Sequence, residues 1–237
     1  MTHVVALSGG ADSTAMALRL REIDAETPWR FLCTPTGNEL PEMLAHWERL
    51  EERLETPLTR ITNRTLEWWI NEFNALPNFR QRWCTRLLKI EPALAYLKAH
   101  QPAVLYVGLR ADEEERKGIF SADAETRFPL REWDWGRPEV LRYLRERGVK
   151  IPARTDCQWC YHQRLGEWRN LLERHPDLYA NAEQQEAETG HTFRSPGRDS
   201  HPVALADLRR SFERQPSLPM FVEPADEQQG VCRVCSL

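Results

Sequence analysis

Apolar and polar positions fall in blocks along this chain, and the block lengths alternate. Short apolar runs at Val4 to Leu7, Trp29 to Thr34 and Val104 to Val107 have the length of strands. Between them, apolar residues recur at helical spacing over Glu42 to Leu54 and Cys84 to Lys98. This alternation predicts a parallel sheet with covering helices, because a parallel connection needs a crossover long enough to hold a helix. At Arg137-Pro138-Glu139 a proline in the first turn opens another short helix, with Val140, Leu141 and Leu144 on one face and Gly148 at its end. From Pro152 the chain turns polar and rich in Arg, Glu and Gln. Ser195 to Ser200 and Gln215 to Gly230 read as loops. The expected organisation is an α/β unit over residues 1–150 and a smaller helical or looped region over 151–237.

The length of 237 residues suits one substantial core with a small appended piece. The formal net charge of −4 gives no general attraction to nucleic acid or to anionic membranes, so a polyanionic partner has to meet a local patch. No apolar stretch approaches membrane-spanning length and no signal-peptide core precedes the first strand, so the expected location is cytoplasmic, away from membranes. Six cysteines in a reducing compartment point to metal ligation, sulfur chemistry or core packing rather than disulfides.

Behind the first apolar run stands Ser8-Gly9-Gly10-Ala11-Asp12-Ser13-Thr14. Two glycines at a strand-to-helix junction let backbone N–H groups approach a polyphosphate, and the following helix points its positive end at the same place. The hydroxyls of Ser8, Ser13 and Thr14 add donors. There is no Gly-Lys-Ser/Thr ending, which disfavours an ordinary γ-phosphate-transferring ATPase. The segment resembles the SGGxDS/T loop of the PP-loop family, whose members cleave ATP between the α and β phosphates or bind adenylyl sulfate.

Three further segments resemble the branch of that family that includes phosphoadenylyl-sulfate reductases. Thr36-Gly37-Asn38-Glu39-Leu40-Pro41-Glu42 is similar to its DTGxxxPE turn, with Thr36 where Asp is usual. A loop at a strand's C-terminal end is where α/β sheets bind ligands, although Pro41 and Glu42 also suit a plain helix start. Gly108-Leu109-Arg110-Ala111-Asp112-Glu113 resembles GxRxDE, which implies that Arg110 meets phosphate or sulfate oxygens while Asp112 and Glu113 orient it or help hold Mg²⁺. The bland alternative is a solvated charge run from Asp112 to Lys117. Arg82-Trp83-Cys84-Thr85-Arg86-Leu87-Leu88-Lys89 resembles R-x-C-x-x-x-x-K, whose basic residues face the nucleotide or its sulfur-bearing partner. Cluster-containing relatives carry tandem cysteines here, whereas this chain has Trp83-Cys84. Cys84 is open to three readings: a thiol activated by Arg82, Arg86 and a helix N-terminus, a metal-linked thiol, or an inert buried one. Cys33, inside a strand, reads as core.

Cys157-Gln158-Trp159-Cys160 and Cys232-Arg233-Val234-Cys235 form two CxxC pairs. Each spacing lets both thiolates reach one ion, and two pairs complete a tetrahedral shell, so Cys157, Cys160, Cys232 and Cys235 are the expected ligands. Such a site would tie the C-terminal end to the nucleotide unit. Zn²⁺ and a [4Fe-4S] cluster both fit the residues, and the resemblance to sulfur-inserting relatives brings in the second. Neither pair is expected to open a helix behind a strand, against a thioredoxin-type redox role. Trp159-Cys160-Tyr161-His162 and Glu167-Trp168 resemble a CxxCPF…EW segment of reductase-like proteins found beside nucleic-acid modification systems.

The resemblance implies a Rossmann-like, adenine nucleotide alpha hydrolase-like fold and an ATP pyrophosphatase using ATP and Mg²⁺. Ser8, Asp12, Arg110 and Cys84 are then the catalytic candidates. Ser8, Gly9, Gly10, Ala11, Asp12, Ser13, Thr14, Thr36, Gly37, Gly108 and Arg110 line the nucleotide. The implied chemistry is adenylation of an oxygen on a nucleic acid for sulfur insertion, with DNA phosphorothioation ahead of tRNA thiolation. The implied partners are a cysteine desulfurase or other persulfide donor, the nucleic acid and its modification proteins. A sulfonucleotide reductase is the alternative, but the chain ends Val231-Cys232-Arg233-Val234-Cys235-Ser236-Leu237, without the ECGxH-type cysteine of those enzymes. A non-catalytic nucleotide-sensing scaffold is the third possibility.

Overall fold

The computed structural model describes residues 1–113, 115, 116 and 124–214. Its sheet contains β1 (Thr2–Ala6), β2 (Arg30–Cys33), β3 (Thr59–Arg60), β4 (Ala103–Tyr106) and β5 (Glu125–Arg127), in the order β3-β2-β1-β4-β5. Every pairing is parallel, with Val4 opposite Arg30 on one side and Leu105 on the other. The chain winds outward from β1 through β2 to β3, then crosses back to β4 beside β1. The strand order therefore reverses between β1 and β4, and the crevice at the C-terminal ends of those strands is the place where such sheets bind ligands.

Period-two alternation sets the two faces of the sheet. Val5, Leu7, Phe31, Cys33, Val104 and Tyr106 join one apolar cluster with residues of helices α1 (Ala11–Ile23), α2 (Pro41–Leu54) and α7 (Arg137–Glu146). Val4, Ala6, Leu32, Leu105 and Val107 pack the other face against Ala93 and Leu97 of α5 (Glu91–Ala99). The helices α3 (Leu66–Phe73), α4 (Trp83–Thr85) and α6 (Pro129–Glu132) are short, and one π-helical turn, Arg86–Ile90, joins α4 to α5. The expected helix over Cys84 to Lys98 thus carries a widened turn, a feature that often marks functional sites.

The polar region beyond Pro152 supplies α8 (Leu165–Arg174), α9 (Pro176–Thr189) and α10 (Leu205–Arg214). Trp159, Trp168, Tyr179, Phe193 and Leu205 are buried in the same apolar cluster as the α1/α2 face of the sheet. As expected, α7 ends just before Gly148, which sits at φ +60, and residues 195–200 form turns rather than helix or strand. The expected loop from Gln215 to Gly230 lies outside the described residues, as does Lys117. Among the described residues no helix is long and apolar enough to cross a membrane.

Candidate nucleotide and thiol site

The phosphate-loop candidate leaves β1 and enters α1 at Gly10, which has an ordinary extended conformation (φ −68, ψ 166). The glycine requirement falls on Gly9, at φ +88. A Cβ there would lie 2.2 Å from Met43 Cε and 2.8 Å from Trp47 Nε1. The reason is that α2 is pressed against the loop and takes up its carbonyls. Trp47 Nε1 donates to Ser8 O at 3.1 Å, and His46 Nε2 lies 3.1 Å from Gly9 O. A carbonyl only accepts, so the imidazole proton sits on Nε2. Burial, reinforced by Arg49, lowers His46 to about 4 and keeps it neutral.

Inside the loop, Ser13 Oγ donates to Gly10 O at 3.2 Å and lies 3.1 Å from Ser8 Oγ, so this hydroxyl braces the loop. Gly10 N donates to Ser8 Oγ at 3.4 Å. Two buried polar atoms here have no hydrogen-bond partner, Asp12 Oδ1 and Thr14 Oγ1. Orphaned buried acceptors and donors are costly, and these two, without a partner among the described residues, lie at a helix N-terminus as a site for a charged ligand would have them. From the far side, β4 runs into Gly108, whose added Cβ would lie 3.1 Å from Ser13 N. A side chain there would have to push the two backbones apart by a few tenths of an ångström.

Arg110 is engaged by carboxylates. Its Nη1 meets Asp12 Oδ2 at 2.7 Å and its Nε meets Asp112 Oδ1 at 2.8 Å, with Glu113 Oε1 at 3.7 Å. The side chain is 11% exposed. Arg131 holds the following segment through the carbonyls of Glu113 and Arg116, both at 2.6 Å. Asp112 and Glu113 are thus turned toward Arg110, while Asp112 and Glu115 remain exposed. Burial raises the pKa of Asp12 above the ordinary carboxylate range, and Glu113 acts in the same direction, while Arg110 and Arg137 oppose them.

The second loop is held from within. The carboxylate of Glu39 accepts from Thr36 N (2.6 Å), Thr36 Oγ1 (2.7 Å) and Gly37 N (3.0 Å). Gly37 is at φ +80 against Thr65. Gln158 N donates to Asn38 O at 2.7 Å, which joins this loop to the first CxxC turn. That turn is braced by Arg154, buried and paired with Asp156 at 3.1 Å, whose Nη2 also donates to Cys157 O at 3.0 Å. Gln163 Nε2 donates to Gln158 O at 2.7 Å.

Two connected clefts result. Ser8, Thr36, Glu39, Lys89, Asp156 and Cys157 line one; Thr36, Lys89, Cys84, Cys157, Cys160 and Tyr161 line the other. Lys89, carried by the π-helical turn, belongs to both and stands between the phosphate loop and the thiols. Cys84, Cys157 and Cys160 line the same cleft, and Cys160 N donates to Cys157 O at 3.1 Å. Burial and Cys160 push the Cys84 thiol up, with Lys89 opposing. Arg86, one of the two cations expected beside this thiol, is paired with Glu91 at 3.1 Å. The first CxxC sits in turns well before α8 and opens no helix. Cys232 and Cys235 lie outside the described residues, and among the described residues no group of three or more His, Cys, Asp or Glu side chains is assembled as a metal shell.

His46, Trp47 and Asp156 stand at the candidate site and were not singled out by sequence reasoning. The burial pattern of α2 carried a signal for the first two, but an amphipathic stripe does not say which loop it will meet.

Comparisons with known proteins complete this picture. A family model described as the phosphoadenosine phosphosulfate reductase domain matches residues 2–156. An uncharacterized protein of Methanocaldococcus jannaschii is 23% identical over 188 residues, 73% of this chain and 44% of that one. An argininosuccinate synthase of Bacillus velezensis is 29% identical over 105 residues, 44% of this chain and 21% of that one. The chain thus spans less than half the length of these curated relatives. Among solved structures, phosphoadenylyl-sulfate reductase from Candida auris in its phosphate complex superposes with a TM-score of 0.51 at 15% identity, over 64% of this chain and 75% of that one. The U34-tRNA thiolase of Methanococcus maripaludis with its [4Fe-4S] cluster gives 0.47 at 15%, over 90% and 80%.

Proposed function

The chain belongs to the phosphoadenosine phosphosulfate reductase domain family, a branch of the ATP-using PP-loop superfamily, and from that premise we propose that it is an ATP pyrophosphatase that adenylates a nucleic-acid oxygen for sulfur insertion. DNA phosphorothioation is the favoured setting and tRNA thiolation the next. The observation that carries the proposal is the loop from Ser8 to Thr14: a positive-φ glycine locked by α2, a helix N-terminus, and two orphaned buried atoms, Asp12 Oδ1 and Thr14 Oγ1. In the first step the substrate oxygen attacks the α-phosphorus of ATP, and the bond to the β-phosphate breaks so that pyrophosphate leaves. In the second, sulfur from a persulfide donor bonds to the activated atom and AMP departs with the oxygen; the remaining disulfide link is opened by a second thiol.

In this reading the protein acts by positioning and charge neutralisation. The loop amides and Ser8 hold the β and γ phosphates, and Asp12 offers its free oxygen to Mg²⁺. Arg110 works through Asp12, keeping that buried carboxylate ionised and aimed. Lys89, between the two clefts, neutralises charge that develops at the α-phosphate. Cys157 and Cys160 would hold a Zn²⁺ ion or a [4Fe-4S] cluster together with Cys232 and Cys235, with Cys84 on the same cavity wall. A cluster there would supply a place for the incoming sulfur.

The test uses ATP labelled in the α-phosphate, incubated with single-stranded or duplex nucleic acid. The expected result is label on the nucleic acid when no sulfur donor is present, released as AMP once a persulfide donor is added. Label appearing in neither form contradicts the proposal. Sulfonucleotide reduction is the second reading, supported by the description of the matched family. It requires an attacking thiolate of the ECGxH type, which the ending Val231-Cys232-Arg233-Val234-Cys235-Ser236-Leu237 does not carry.

A further inference from the structure

Beside the thiol cleft lies a larger cavity of about 880 Å³, between residues 75–81 and 190–198. That volume is within the range of nucleotide-sized sites. Among the described residues its lining includes Phe79, Arg80, His191, Arg194 and Arg198 and no carboxylate, in a chain whose net charge is −4. Arg194 is engaged by Asp199 and is part of the wall. Arg80 and Phe79 are exposed, Phe79 to 46%.

Phe79 is presented rather than stranded. Tyr161 and His162 meet its ring edge-on at centroid distances of 5.1 and 4.7 Å, and the Arg198 guanidinium lies 5.5 Å from its centroid. Arg198 also donates to Tyr161 O at 2.9 Å and His162 O at 3.2 Å, which fixes the wall to the turn that follows Cys160. Tyr161 lines the thiol cleft and packs against Phe79, which lines the larger cavity, so the two adjoin through this ring pair. The preceding helix, α3, carries two more exposed rings, Trp68 (39%) and Phe73 (44%), with Arg64 4.8 Å over Trp68. An exposed ring beside guanidinium groups, in a concavity without carboxylates among the described residues, is the chemistry that binds unpaired nucleotides: bases stack on the ring and phosphates meet the cations.

We infer that this cavity is the entry site for the acceptor, where an unpaired stretch of nucleic acid stacks a base on Phe79 and sets a phosphate against Arg80, beside the thiol cleft. The inference rests on the nucleic-acid acceptor reading above and adds the surface that would take it. A duplex fits less well, since its bases already stack on each other.

The test measures binding of a labelled 20-nucleotide RNA, a DNA of the same sequence and the DNA duplex to the full chain by fluorescence anisotropy across a salt series. The expected result is tighter binding of a single strand than of the duplex. Phe79→Ala should weaken it about tenfold and Phe79→Trp should restore it. Arg80→Gln should flatten the salt dependence by about 0.7 in log–log slope, the loss of one phosphate contact. ATP binding, followed separately, should be unchanged in all three variants. Stronger binding of RNA or of DNA identifies the acceptor's kind. Preference for duplex, or single-strand binding indifferent to both positions, or no binding at all, overturns the inference. Phe79-dependent strand binding without any AMP formation would leave this surface standing and remove the adenylation reading, so the two fail separately.

Discussion

Gly9 concentrates the demands on the phosphate loop, because its φ of +88 and the contact with Met43 and Trp47 both exclude a side chain. Gly9→Ala should cost on the order of 1–3 kcal/mol through strain alone, and it should also abolish ATP turnover as α2 is pushed off; unfolding curves and pyrophosphate release measure the two effects. His46 gives a pH signature. Its folded pKa of about 4 lies below the ordinary 6.5, so the unfolded chain binds a proton first and stability falls as pH drops from 6.5 toward 4. At pH 5 the loss should be about 2 kcal/mol relative to neutral pH. In His46→Gln, which keeps a donor for Gly9 O but does not titrate, that loss disappears. Urea unfolding at pH 7 and pH 5 should therefore show the gap between the two proteins narrowing in acid, and a constant gap would contradict the assignment. Neither role was legible beforehand. Gly9 and Gly10 looked interchangeable in sequence, and His46 is 37 residues from the carbonyl it holds.

At the scale of elements, what could be read in advance was what contiguous residues encode. The β1–loop–α1 unit, the helix from Pro41 and the strand before Gly108 each carry apolar periodicity next to a turn. β3 is two residues long and β5 is Glu125-Thr126-Arg127, so neither offers an alternation to find. α3 was missed although Thr65 caps it through Trp68 N at 3.1 Å, because its rings face both inward and out. Arg110 shows how elements meet: it reaches from the end of β4 to Asp12 at the start of α1. Replacing it by Gln removes the main opposition to Asp12's upward shift, so the acid limb of the pH–rate profile should move to higher pH. Arg110→Lys keeps the charge but not the fork that spans Asp12 and Asp112, and should lose activity with a smaller displacement of that limb. An unmoved limb in Arg110→Gln would detach Arg110 from Asp12.

For the molecule as a whole, the polar stretch after Pro152, expected as a small helical or looped region, has Trp168, Tyr179 and Phe193 fully buried in the core that backs the sheet. Spaced aromatics in a charged background hide such a layer from composition. This packing presents Cys157 and Cys160 to the cleft that also holds Cys84 and Lys89. Purified protein should contain one metal site, colourless zinc or a brown cluster. Cys157→Ser should release it and expose the C-terminal segment to protease while the nucleotide unit persists; metal analysis and limited proteolysis read both, and six freely titrating thiols would remove the site. The central claim, however, is the direction in which ATP is broken, since a loop without the Gly-Lys-Ser/Thr ending is read as an α–β cleaving cradle. Incubating the protein with Mg²⁺, nucleic acid, a persulfide donor and ATP labelled at both the α and γ phosphates and separating the products decides it: AMP and pyrophosphate are predicted, with both lost in Gly9→Ala, and ADP with inorganic phosphate would contradict the account.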